Sequence, residues 1–223
     1  MTKFGIAIFF TATILLVSSA VSASLRVVVS SDMLDLVDIE GGKLVGAVGG
    51  LYQCVFDRMG EEVRFVKAPL KRGLLEIRNH DADVLIPLAQ GASRDKFAEF
   101  GGALLEADYA FISKAKLPEN FERLGLTYGI PRSFVGKDLI TDTGAVIEEV
   151  SEWSQLPQLL ERDRIDVIVL PSLITAEVLG KDEEKLVKRY AGTIPASLYM
   201  SSTLKASVKV KIRQAVQDCR MVN

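Results

Sequence analysis

The sequence predicts an α/β protein of two units, each a mostly parallel sheet flanked by helices. Three observations carry this. Short apolar runs bounded by Gly, Pro or Ser alternate with stretches whose apolar residues recur at helical spacing; the alternation breaks over a polar stretch, Lys114 to Arg123; and it then begins again. Of the 223 residues 48% are apolar, which supplies a core for a chain of this length and excludes a disordered one.

From Leu25 the run Leu-Arg-Val-Val-Val-Ser reads as a buried strand, and Gly41-Gly42 marks a turn. Leu44, Val48, Leu51, Val55 and Met59 share one helical face, so a helix is expected over Leu44 to Met59, stopped by Gly60. Glu62 to Val66 then reads as a strand, Leu70 to Ile77 as a helix, and Asp83 to Ile86 as a strand running into Pro87. This is a βαβαβ unit, and such sheets bind ligands beyond the carboxyl ends of their strands. Ala107 to Ser113 is extended. After the break come a strand near Thr127 to Ile130, a helix near Phe134 to Ile140 and a strand near Ala145 to Val150. A helix over Ser154 to Arg162 follows, with Ser154 as N-cap and Pro157 harmless in the first turn, then a strand over Asp166 to Leu170. Pro195 to Ser202 reads as one more strand. Ala206 to Cys219 is an amphipathic helix with Val208, Ile212, Ala215, Val216 and Cys219 on one face.

Composition excludes several functions. The 27 basic and 29 acidic side chains give a net charge of -2, with no run of five like charges to draw in a polyanion, so nucleic acid is not expected as a partner. One histidine and two cysteines are too few for a zinc site, and no cofactor is implied. His80 with Asp81 and Asp83 reads as a solvated turn. Gly46, Gly49 and Gly50 fall inside the expected helix rather than between strand and helix, so they do not form a phosphate loop. Trp153 and Tyr109 read as core. Cys54 and Cys219 lie on or beside the apolar faces of two helices and fit either a disulfide or two inert thiols.

The first residues read as a targeting signal. Lys3 precedes an apolar run from Phe4 to Val17, about 14 residues and so shorter than the roughly 20 needed to span a bilayer. Small residues follow, with Val21 and Ala23 placed for cleavage after Ala23. Export to the periplasm is expected, with 1–23 removed.

Several segments together carry a family resemblance. They are Leu25-Arg-Val-Val-Val, Gly42-Lys-Leu-Val-Gly46, Asp81-Ala-Asp-Val-Leu-Ile, Ser93-Arg94 with Phe97-Ala-Glu-Phe100, and Arg164-Ile-Asp-Val-Ile-Val. Their order and spacing, covering nearly all of Leu25 to Cys219, resemble the bacterial extracellular solute-binding proteins of family 3, the periplasmic amino-acid receptors of ABC importers. The resemblance implies a two-lobed clamshell, with 24–108 and 196–223 as lobe one and 109–195 as lobe two. It implies chain crossings near Ala107 to Lys114 and near Gly192 to Leu198, and a ligand in the interlobe cleft.

The resemblance also assigns site residues. Arg94, near an expected helix start, matches the arginine that clamps a ligand carboxylate; each charge-assisted hydrogen bond of this kind contributes roughly 1.5 to 3 kcal/mol. Gln90 is the polar candidate at a strand end otherwise filled by Pro87, Leu88 and Ala89. Leu70 stands where an aromatic commonly covers the ligand, and Ser133 matches a hydroxyl at a lobe-two helix start. Pro171 stands where an aspartate usually accepts the α-ammonium group. Asp32 or Asp35 could substitute for it, or the ligand is not an ordinary α-amino acid.

The expected function is capture of a small anionic or zwitterionic carboxylate-bearing solute by a monomeric receptor, read by a membrane permease or sensor. An enzyme resembling the cyclohexadienyl dehydratases is the alternative, although no Ser/His/Asp or Cys/His set can be assembled. An accessory or sensory protein without high-affinity solute binding is a third reading.

Overall fold

In the computed structural model, which describes residues 24–33 and 36–220, the first strand, Leu25–Ser30 (β1), is almost wholly buried. A small hairpin follows, Asp38–Glu40 (β2) against Lys43–Val45 (β3). The first helix, Gly49–Met59 (α1), ends at Gly60, whose φ of 64° is the left-handed conformation that glycine adopts without a Cβ penalty. The strand Val63–Ala68 (β4) pairs parallel to β1, and Leu70–Arg78 (α2) crosses back to Val84–Ala89 (β5), parallel to β1 on its other side. Backbone N–H of Leu70 donates to Asp32 Oδ2 at 2.7 Å, satisfying one of the free donors at the start of α2. Val28, Leu70, Ile77, Leu85 and Tyr199 pack under α2 on one sheet face. On the other face lie α1 and the last helix, Ala206–Cys219 (α5), in contact with each other and joined by a disulfide between Cys54 and Cys219. This half is therefore a sheet covered on both sides, each fully buried aliphatic side chain contributing roughly 1.5 to 3 kcal/mol.

A short strand, Ala98–Phe100 (β6), leads to Leu105–Ser113 (β7), which leaves this half. Beyond it Thr127–Pro131 (β8) has two parallel neighbours, Val146–Val150 (β9) and Val167–Pro171 (β10). The helices here are brief: Leu156–Glu161 (α3), Thr175–Leu179 (α4), and several single 3-10 turns. The chain returns along one long strand, Val187–Ser201 (β11), antiparallel to β5 on one side and, on the other, to β7 and then β6. The result is one sheet in the order β4-β1-β5-β11-β7-β10-β8-β9, with β6 off that path on β11. A single apolar cluster runs through both halves. No described helix is long and apolar enough to cross a membrane.

The structure corrects several element boundaries. The helix expected from Leu44 starts at Gly49, because Leu44 alternates with exposed Lys43 in the hairpin; Gly46 lies before the helix rather than inside it. The expected helix over Phe134 to Ile140 is a 3-10 segment, Val135–Leu139. Ser154 is not an N-cap: the turn Trp153–Gln155 precedes α3, and the Gln155 side chain accepts from the backbone N–H groups of Ser151 and Glu152. The strand expected over Pro195 to Ser202 begins eight positions earlier, at Val187. Arg94 sits in a hydrogen-bonded turn, not at a helix start. His80 lies in an exposed turn as expected, with its Nδ1 3.0 Å from the Ser201 hydroxyl. The two cysteines are bridged. The expected signal segment, its cleavage site and Asp35 lie outside the described residues.

Candidate functional site

The topology turns the carboxyl ends of the parallel strands toward one another. β5 ends at Ala89, paired with Ala196, which is itself paired with Leu105; β10 ends at Pro171, paired with Tyr109. Along the strand direction the two ends are thus offset by the stretch of β7 from Leu105 to Tyr109, about 13 Å at the usual strand rise. A cavity of about 50 Å³ occupies this junction. The paired strands β7 and β11 contribute Ala107, Tyr109 and Ala196 to its wall, β5 contributes Leu88, and the far half contributes Phe134 and Pro171. Tyr52 also lines it, its hydroxyl donating to the buried carbonyl of Ser197 at 2.7 Å.

Arg94 reaches into this junction and is only 5% exposed. Its Nη1 donates to the carbonyl of Ala89 at 2.6 Å, and its Nη2 to the carbonyl of Ser133 at 3.1 Å. The first carbonyl belongs to β5, the second to the turn after β8, so one guanidinium links the two halves. Burial pulls its pKa below the ordinary arginine value, while the nearby Tyr199, Tyr109, Asp138 and Asp95 pull the other way. The charge persists regardless, because arginine does not deprotonate in proteins. Burial also pushes the Tyr109 hydroxyl up to about 12, with Arg94 opposing it.

The turn that aims Arg94 is locked from beneath. Buried Tyr199 accepts a hydrogen bond from the Gly91 N–H at 2.9 Å and donates to Asp95 Oδ1 at 2.6 Å, while the Arg94 N–H closes the turn on the Gly91 carbonyl at 2.9 Å. On the opposite side, Ser133 adopts a φ of 62°, a conformation that is costly for a residue other than glycine and that recurs where a backbone group must be presented.

Two wider openings, each about 400 Å³, flank the junction and share Phe134. One is basic, lined by Lys71, Arg78, Arg94 and Lys137 with Asp138 as its acid. The other carries Asp32, Glu152 and Glu177 with Arg132. Phe134 is held between them by ring contacts to Tyr109 (centroids 5.8 Å) and to Trp153 (4.9 Å, edge-on).

The structure brings Arg94, Leu88 and Pro171 together in the central cavity and places Ser133 on the basic opening. Leu70 and Asp32 lie on the acidic opening instead, and Asp32 is engaged at the start of α2. Gln90 is half-buried, its backbone N–H bound to Pro195. Phe134, Val135, Met33 and Leu173 were not legible as wall residues. An apolar residue just past a strand end, as at Leu173, is the signal that could have marked them. Tyr109, expected as core, is both core and cavity wall.

Comparison of the sequence with protein-family models and with curated proteins finds no match. Comparison of the structure does. It is similar to a histidine kinase sensor domain with similarity to periplasmic binding proteins (TM-score 0.72, 14% identity, covering 87% of this chain and 89% of that one). It is similar to holo ArgBP from T. maritima (TM-score 0.69, 17% identity, 87% and 89%). The arginine-, lysine-, histidine-binding protein ArtJ from Geobacillus stearothermophilus gives a TM-score of 0.68 at 15% identity, with 88% and 89% covered. The chain has the periplasmic-binding-protein fold. Arg94 stands in the junction just described with a hydrogen bond to each side.

Proposed function

We propose that the protein is a periplasmic solute-binding receptor that captures a small carboxylate-bearing solute between its lobes and presents the closed form to an ABC-type permease or to a sensor. In this reading 24–108 and 196–223 form lobe one, 109–195 form lobe two, and the chain is exported with 1–23 removed near Ala23. The observation that carries it is the buried Arg94 guanidinium bridging the two lobes at the mouth of a cavity. A carboxylate entering there meets the charge-assisted, two-pronged donor that such an anion fits best. Leu88 and Pro171 wall the solute, and Ser133 and Gln90 supply polar groups at the edge. Leu70 and Asp32 shape the neighbouring opening.

A ligand touching both lobes favours the closed arrangement by its differential affinity for it, which is a population shift and requires no chemistry. Arg94 already holds the lobes through two main-chain carbonyls, so a solute must improve on those neutral partners. A histidine kinase sensor domain is similar in structure, which makes a sensory role the second reading. An enzyme on this scaffold would need an acid or base in the cleft. Of the two tyrosines on the cavity wall, Tyr52 is engaged with Ser197, and burial pushes the Tyr109 hydroxyl up to about 12.

A thermal-shift screen of amino acids and small organic acids tests the reading. A solute at 100 times its Kd stabilises by about 2.7 kcal/mol, or roughly 5 to 10 °C for a chain of this size. The shift should vanish in Arg94→Ala. Undiminished binding by that variant removes Arg94 from the site.

A further inference from the structure

Resting on the receptor reading above, we propose that the solute is a small monocarboxylate with an apolar tail and no α-ammonium group, its head held by Arg94 and its tail in the central cavity. Three features converge on this chemistry. The basic opening and the cavity share Arg94, so an anion drawn in past Lys71, Arg78 and Lys137 arrives at the guanidinium that also faces the apolar space. The described residues around that space are apolar or tyrosine apart from Arg94 itself, and none is Asp or Glu. Leu173, at the rim, is 57% exposed, an apolar lip on the strand-end turn where solvent would otherwise favour a polar residue.

An α-ammonium group carried into such a cavity would lose its hydration and find no anion in exchange. That penalty amounts to well over tenfold in affinity. The acidic side chains nearest it line other spaces: Asp138 is on the basic opening among Lys71, Arg78 and Lys137, Asp32 caps α2 on the acidic opening, and Asp95 is bound to Tyr199 behind the Arg94 turn. Size narrows the class further. About 50 Å³ holds on the order of three to five heavy atoms in this conformation, which suits a short or branched tail.

Isothermal titration of the purified, disulfide-bonded chain with 3-methylbutanoate, valine, malonate and 3-methylbutan-1-ol tests this, because valine is the first acid with an ammonium added, malonate trades the apolar tail for a second charge, and the alcohol lacks the head group. The expected result is that 3-methylbutanoate binds at least about tenfold more tightly than each of the others. Arg94→Gln should abolish that binding. Because loss of Arg94 also removes a contact between lobes, Leu173→Asp provides a second test at an exposed position. It should weaken 3-methylbutanoate and narrow its advantage over valine.

Valine or malonate binding as tightly as 3-methylbutanoate overturns the apolar-monocarboxylate assignment while leaving the receptor reading intact. Equal binding of the alcohol, or full 3-methylbutanoate affinity in Arg94→Gln, removes the head group from Arg94. An unchanged ratio in Leu173→Asp removes the tail from the cavity. If no compound in the broad thermal-shift screen stabilises the chain, the receptor reading itself fails.

Discussion

The two halves of the clamshell are built from the same parallel three-strand motif and are braced differently. In the first, α1 and α5 are tied by the Cys54–Cys219 disulfide across 165 residues of chain, and α2 covers the other face. Two of its buried charged side chains are answered by ion pairs: Glu76 by Arg26 at 2.7 Å and Arg72 at 2.8 Å, and Lys209 by Glu99. The second half has short helices and an edge strand, β9, with Val146 and Ile147 exposed. Its loops are fixed by main-chain bonds to one carboxylate, Asp142, which accepts from Gly125, Leu126 and Gly144 at 2.9 to 3.2 Å. The disulfide-bonded half supplies the charged side chain of the candidate site, Arg94, whereas the other supplies a carbonyl, that of Ser133, and the apolar Phe134.

Removing the disulfide should break this contrast most strongly. Replacing Cys54 and Cys219 together by serine is expected to cost roughly 2 to 5 kcal/mol in urea unfolding. Hydrogen exchange should show the loss in α1 and α5 and leave β8 and β10 unchanged; equal losses in both halves would show a single cooperative unit. Glycine substitutions probe the packing next. A Cβ on Gly129 would lie 2.4 Å from Ile165 Cδ1 and 2.9 Å from Leu156 Cδ2, so Gly129→Ala should cost about 1 to 3 kcal/mol. In the first half, a Cβ on Gly73 would press on the end of Leu85 at 2.7 Å, but alanine's better helix propensity, up to about 1 kcal/mol, offsets part of the strain. Gly73→Ala should therefore be the milder change by the same measurement.

The smallest effect is in acid. Burial pushes the Glu76 carboxyl up, but Arg26 and Arg72 more than offset it and hold it below the usual range; three backbone N–H groups do the same for Asp142. For both, the folded value is depressed. Their stabilisation is therefore complete above the ordinary carboxylate range and lost as pH falls through the lowered folded values. Acid titrations of Glu76→Gln and Asp142→Asn at low and high salt should show screening of the first contribution and little change in the second.

Periodicity made the regular parts legible. The buried face of α5 matched at Ile212, Ala215, Val216 and Cys219, and the strand expected over Asp166 to Leu170 is β10, buried throughout. The start of α1 was hidden because Leu44 satisfies a helical spacing and a strand alternation equally, and only the hairpin pairing with Ile39 decides between them. At the candidate site, Arg94 was picked out by the family resemblance rather than by its position after a strand end. Its partners were not: they are carbonyls of Ala89 and Ser133, and a main-chain oxygen leaves no mark in the residue type. The wall formed by Phe134 depends on a 3-10 turn whose length sequence pattern does not specify.

Strand β11 fills the gap between β5 and β7, yet its residues, 187–201, are among the last of the described chain to be synthesised. Until they emerge from the ribosome, both neighbours present open hydrogen-bonding edges, and neither half can finish its sheet. A truncated translation product should accordingly be an aggregation hazard rather than a miniature of the parent, and a chaperone would find its preferred target in those two waiting edges.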